Sequence, residues 1–176
     1  MANPASGSDS AGSSDQLSIR FTVPEDAVPM RKWFDEPGIL RQYPCEKPSE
    51  IDDTVKRWIS FYRYSASLTA VIGDEVVGIT SLYLWPYTKL RHQCQFGIIV
   101  DQAHRGKGVG TALLTSLMHV AKENFNIELL HLEVYKGNPA YRLYKRLGFK
   151  EFGRQSHWIK EADGTYVGRI FMERFL

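Results

Sequence analysis

The chain has 176 residues, 43% of them hydrophobic and 12% aromatic, enough for one packed domain and too little for two comfortable ones. Its 22 basic residues nearly balance 20 acidic ones, and a net charge of +2 argues against the concentrated basic face of a nucleic-acid binder while leaving room for a small basic patch against an anionic cofactor. No apolar run approaches a membrane span, no basic-then-apolar leader opens the chain, and Cys45 and Cys94 lack zinc-ligand spacing, so the expectation is a soluble cytoplasmic protein with reduced thiols and no metal.

Met1 to Asp15 is Ala, Ser, Gly, Asn and Asp with almost nothing to bury, and reads as a flexible tail before a single domain spanning residues 16–176. Leu17 to Thr22 alternates apolar and polar residues, the period of a half-buried strand. Thr22 and Glu25 have the spacing of a capping box, predicting a helix to about Trp33, weakened by Pro29. After Pro37-Gly38 a loop carries Tyr43 and Pro44. Ser49 and Asp52 are candidate caps for a second helix, with Ile51, Val55, Trp58, Ile59 and Tyr62 on one face.

Ser67 to Ile72, a Gly73-Asp74 turn, Glu75 to Leu84 and Gln93 to Val100 predict a three-stranded meander. A strong helix follows from Gly108 to about Asn124, with Leu113, Leu117, Val120 and Ala121 inward. Then come a strand, Glu128 to Tyr135, and a short helix, Pro139 to Leu147, which Gly148 is placed to end in the left-handed conformation. Lys150 to Ile159 and Tyr166 to Phe175 close the chain as a hairpin around Asp163-Gly164. The order βααβββαβαββ predicts an α/β (α+β) architecture, a mixed central sheet of about seven strands flanked by about four helices.

The richest segment is Val100-Asp-Gln-Ala-His-Arg-Gly-Lys-Gly-Val-Gly-Thr-Ala-Leu-Leu114. A strand ends and glycines lead into a helix, whose first N–H groups are unpaired and whose dipole is positive there. With Arg105 and Lys107 beside them, these N–H groups make a pyrophosphate cradle. A Walker A loop needs Ser or Thr after Gly-Lys, and Gly108 stands there instead; a dinucleotide fingerprint started at Gly106 would end on Thr111 rather than glycine. The bland alternative is a glycine-rich turn that merely starts a helix.

Arg105, Gly108 and Gly110 match the Arg/Gln-x-x-Gly-x-Gly/Ala loop of GCN5-related N-acetyltransferases (GNAT), and the resemblance extends through Leu130 to Phe149, where Asn138, Ala140, Tyr144 and Leu147-Gly148-Phe149 have counterparts. It is strongest from Phe96 to Phe149 and covers the chain from Leu17 to Leu176. It implies the GNAT fold and direct, ternary-complex transfer of an acetyl group from acetyl-CoA to a primary amine of a small molecule or peptide, by a monomer or homodimer without nucleic acid or membrane partners. The implied cofactor-binding set is Ile98, Ile99, Val100, Arg105, Gly106, Lys107, Gly108, Val109, Gly110, Thr111, Asn138 and Tyr144.

Such chemistry needs a base for the ammonium, an acid for the thiolate and a donor for the developing oxyanion. The resemblance makes Tyr144 the acid; the alternative is a packed aromatic. Many relatives carry a glutamate in the strand before the loop, but Gln95 and Phe96 stand here and neither is basic. Glu133 matches the Leu-Glu-Val pattern of some protein N-terminal acetyltransferases and is the candidate base, directly or through water, against the alternative of a solvated strand carboxylate. His131, Tyr135 and His157 are weaker candidates. Relatives recognise the acceptor with the first two helices, their loop and the last hairpin, which here carry Trp33, Phe34, Tyr43, Trp58, Tyr62, His157, Trp158 and Tyr166; most of these are expected in the core and some as walls of an acceptor pocket, with Trp85, Pro86 and Tyr87 at the end of their strand bordering the same cleft. A peptide N-terminal acetyltransferase of the ribosomal-protein type and a catalytically silent acyl-CoA-binding module remain open.

Overall fold

The computed structural model describes residues 16–176, and the expected tail over residues 1–15 lies outside them. Seven strands form one sheet: β1 (Leu17–Phe21), β2 (Ser67–Ile72), β3 (Glu75–Tyr83), β4 (Gln93–Val100), β5 (Leu129–Tyr135), β6 (Lys150–Lys160) and β7 (Tyr166–Phe175), in the spatial order β1-β2-β3-β4-β5-β7-β6. Four helices accompany it: α1 (Ala27–Trp33), α2 (Pro48–Ser60), α3 (Val109–Phe125) and α4 (Ala140–Arg146). The expected order and fold are observed, with short 3₁₀ turns added at Pro24–Asp26, Ile39–Gln42, Phe61–Tyr64, Thr88–Leu90 and Gln102–His104. Among the described residues no helix is long and apolar enough to cross a membrane.

Every neighbouring pair of strands is antiparallel except β4 and β5, which are parallel and therefore need a crossover; α3 supplies it. Helices cover both faces of the central strands, which explains why Leu68, Ala70, Val77, Ile79 and Leu82 are all buried. On one face α3 sets Leu113, Leu117 and Ala121 against β1 to β4; Val120 is only half-buried, while Val109 and Leu114 join the core. On the other face Met30, Trp33, Phe34, Ile51, Val55, Trp58 and Ile59 of the first two helices close over Ile79 and Ile99.

Two capping expectations are corrected. The first turn is closed by Asp26, whose Oδ2 accepts the N–H of Val23 at 3.0 Å; Thr22 lies buried in the sheet and bonds Ser67 and Thr69. The second helix begins at Pro48, and Glu50 Oε2 accepts the N–H groups of Glu46 and Lys47 at 2.8 and 3.1 Å. Ser49 and Asp52 therefore sit inside the helix, and Asp52 pairs with Arg31. Proline fixes the first helical turn and has no N–H to cap, so it overrides the Ser49 signal.

Asp26 is 2% exposed and is the hub of a polar network: Arg20 reaches both its oxygens at 2.7 and 2.8 Å, and Thr69 donates to it at 2.8 Å. Burial alone would raise its pKa, but the bonds from Arg20, Val23 and Thr69 outweigh it and hold the carboxyl below its ordinary 3.8. A carboxylate whose folded pKa is depressed adds stability that is complete above the unfolded value and is lost as pH falls through the folded one. The melting temperature should therefore fall on acidification below about pH 4. Asp26→Asn should cost about 1–3 kcal/mol at neutral pH and flatten the acid slope; equal melting curves for both forms from pH 7 to 3 would contradict this.

Candidate active site

β4 and β5 pair over only three residues, Gln93 to Gln95 against Leu129 to His131, and then part. The parting leaves one edge of β4 open. Asp101 N–H donates to Val77 O, so by the alternation of the antiparallel ladder Gly97 and Ile99 direct their N–H and C=O groups to β3. Phe96, Ile98 and Val100 direct theirs into the gap. Two of those carbonyls are already engaged: Tyr43 Oη donates to Ile98 O at 2.9 Å, and Arg105 Nε to Val100 O at 3.0 Å. The N–H groups of Ile98 and Val100 remain on the open edge as donors.

The gap widens into a cavity of about 550 Å³ walled by β4, β5, α2, α4 and the loop before α3. The loop is built as the glycines require. Gly106 and Gly108 have φ of +75° and +88°, the left-handed region, and open space where a Cβ would stand. Gly110 serves differently: a Cβ there would lie 3.0 Å from Leu143 of α4, so its absence lets the two helices close on the cavity. The first N–H groups of α3 thus reach the cavity wall uncovered, beside Gly106, Gly108, Gly110 and Thr111. Arg105 is partly committed to bracing, since its other end lies 3.6 Å from Glu36.

Tyr144 is 6% exposed, with Phe96 and Phe149 at ring-centroid distances of 6.1 Å, and it lines the cavity. Burial raises its pKa far above the ordinary 10.0, so the phenol keeps its proton. Asn138 lines the mouth, and its Oδ1 accepts the Ala140 N–H at 2.9 Å, starting α4. Glu133 lines the same cavity from β5 and is ion-paired with Arg169 of β7, a residue the sequence did not single out. Arg169 is further held by Gln155 at 2.9 Å and by Trp158, whose ring centre is 3.3 Å from the guanidinium carbon.

Of the expected set, Ile98, Val100, Arg105, Gly106, Gly108, Gly110, Thr111, Asn138, Tyr144 and Glu133 come together around the cavity. Three do not line it. Ile99 is 2% exposed in the α1–α2 core, because strand alternation turns it opposite to Ile98 and Val100. Val109 buries its side chain under α3, and Lys107 is exposed on the outer side of the loop. Trp33 and Phe34 are core, His157 and Tyr166 stack on each other outside, and Trp85 and Tyr87 are exposed away from the cleft. Tyr43, Trp58 and Trp158 wall the cavity as expected, together with the unanticipated Tyr83 and Gly97. A Cβ on Gly97 would fall 2.2 Å from Tyr83 Oη and 2.5 Å from the Trp58 ring, and a lone glycine inside a strand is the sequence mark of such an approach.

Residues 29–149 match the model of the acetyltransferase (GNAT) family, and the chain belongs to that family. It is 35% identical over 112 residues to an N-alpha-acetyltransferase of Sulfurisphaera tokodaii, a match covering 58% of this chain and 67% of that one. It is 29% identical over 108 residues to an L-amino acid N-acetyltransferase of Escherichia coli, covering 61% and 66%. These matches thus span about two thirds of the relatives' length. The fold is shared with yncA of Salmonella typhimurium, a structure with its cofactor acetyl-CoA, at a TM-score of 0.77 and 21% identity over 91% of this chain and 94% of that one.

If the glycine conformations make the cradle, Gly108→Val should weaken acetyl-CoA binding at least about tenfold by calorimetry, because a β-branched residue at φ +88° must refold the turn. An unchanged Kd in a variant that still melts cooperatively would contradict this.

Proposed function

We propose that this protein is an acetyl-CoA-dependent N-acetyltransferase acting on a primary amine. The observation that carries the reading is one cavity that joins an uncovered helix N-terminus, an open β4 edge and a buried, protonated Tyr144. Acetyl-CoA, when bound, supplies an activated acetyl thioester. The α3 N-terminus, Gly106 to Thr111 and Arg105 would hold its pyrophosphate, and the Ile98 and Val100 N–H groups its pantetheine arm; the 21%-identical fold relative was solved with this molecule.

Each residue then has a chemical task. Glu133, oriented by Arg169, takes the proton of the attacking ammonium directly or through one water. The amine nitrogen would bond the acyl carbon as the carbon–sulfur bond opens and would release its second proton to solvent, from which Tyr144 would be reprotonated after serving the sulfur. Tyr144 gives its phenolic proton to the departing sulfur, and its apolar surroundings keep that proton available through neutral pH. The splayed strands bring both partners side by side, which supports direct transfer over a covalent enzyme intermediate. Two buried, free cysteines accord with a reaction in the cytoplasm.

A second reading has support in the 35% identity to an N-alpha-acetyltransferase: the acceptor amine would be a peptide N-terminus. A panel of amines, amino acids and peptides with acetyl-CoA, followed by release of CoA thiol, separates the two. Failure to acetylate any of them would defeat both.

Tyr144→Phe should lower kcat by about tenfold to a thousandfold with acetyl-CoA affinity retained. Because burial holds the Tyr144 proton, no activity should be lost to its ionisation up to the ordinary tyrosine value of 10.0. Glu133→Gln should lose activity at neutral pH and regain part of it at alkaline pH, where the amine is already neutral. Parent rates for both variants across the pH range would remove these residues from the chemistry.

A further inference from the structure

Tyr43, Trp58, Tyr83, Tyr135 and Trp158 give the cavity an aromatic wall. The cavity's charges are unequal. Glu133 is the one carboxylate among the described residues lining the cavity, and Arg169 neutralises it. Of the lining cations, Arg105 lies beside Glu36 at the loop, while Arg146 at the C-terminal end of α4 and Arg57 of α2 both lack an ion-pair partner among the described residues. Arg57 is set apart by its neighbours. It lines the cavity, is solvent-exposed, and its guanidinium makes no ion pair or hydrogen bond with any described residue. It precedes Trp58, whose ring closes on Gly97 at the centre of β4. Its charge is felt at the Tyr83 hydroxyl: burial drives that pKa far up, and Arg57 is the largest influence opposing the rise. The Tyr83 hydroxyl itself stands against Gly97.

A guanidinium without a protein partner beside an aromatic wall selects for an anion on the ligand. A polyamine would meet repulsion from Arg57 and no free carboxylate. A neutral peptide backbone would leave Arg57 unpaired. We propose, building on the acetyltransferase reading, that the acceptor is a small zwitterion of the α-amino-acid type, whose carboxylate pairs with Arg57 while its amine faces Glu133 and Tyr144. The aromatic walls favour an apolar side chain. Arg57 is then a specificity-determining residue.

The test uses matched sets: leucine, methionine and phenylalanine, the carboxamide of each, and the corresponding decarboxylated amines, with spermidine and a short N-terminal peptide alongside. CoA thiol release gives kcat/KM, and calorimetry gives acceptor Kd for the free protein and for protein saturated with CoA. Free acids should exceed their amides by at least about tenfold in kcat/KM, the scale of a charge-assisted pair at a partly exposed site. In Arg57→Gln that ratio should collapse to within about twofold, through KM rather than kcat, and Arg57→Lys should restore part of it, since lysine keeps the charge but not the planar fork. The Kd ratio of acid to amide should change in parallel. Amides, spermidine or the peptide outperforming the acids in the parent protein would overturn the proposal, as would an undiminished acid-to-amide ratio in folded Arg57→Gln. Absence of acetyl-CoA binding would instead defeat the acetyltransferase reading, and the acid-to-amide Kd ratio on the free protein would still decide the role of Arg57.

Discussion

Two parallel strands that share three residue pairs and then separate create a problem that the rest of the molecule is arranged around. An open strand edge inside a protein exposes N–H and C=O groups that burial would penalise. Here the carbonyls of Ile98 and Val100 are satisfied by Tyr43 and Arg105. Phe96, Tyr144 and Phe149 pack edge to face at the base of the wedge. The donors on the same edge are left for a ligand. The gap is therefore maintained by specific contacts on each wall, and the site exists because the sheet is incomplete there.

The charged groups follow from the same geometry. Only because β5 stays with β7 while leaving β4 does Glu133 come opposite Phe171 and within reach of Arg169, which pairs with Tyr135 in the register. Arg169 is stacked on Trp158 and bound by Gln155, so it is a rigid partner that orients Glu133. The cavity thus carries one neutralised carboxylate, one protonated phenol and two unmatched guanidiniums, Arg57 beside Trp58 and Arg146 at the end of α4, a charge arrangement that suits a zwitterion with its amine toward Glu133.

Much of this was legible in the chain, for reasons particular to each part. The loop from Arg105 to Gly110 could be read because positive φ and close helix packing are demands that only glycine meets cheaply, so spacing alone carries meaning. The strand and helix periods were readable because both faces of the sheet are covered and few polar residues interrupt the apolar runs. The helix caps were not, because Thr22, Asp26, Ser49 and Glu50 offer nearly the same chemistry within a few positions, and tertiary burial of Thr22 decided between them. Ile99 was separable from Ile98 and Val100 by strand parity, a distinction that a contiguous reading of the strand end overlooks. Arg57 and Arg169 were hidden among 22 basic residues; what singles them out is the presence or absence of a partner, which depends on register and helix placement.

The account turns on acetyl-CoA lying along the open edge of β4 with its pyrophosphate at the start of α3. Amide hydrogen exchange with and without CoA addresses this residue by residue. The account predicts marked slowing at Ile98 and Val100 and from Gly106 to Thr111, with Gly97 and Ile99, already bonded to β3, changing little. Binding of CoA that left the Ile98 and Val100 amides unprotected, or protected a different surface, would contradict it.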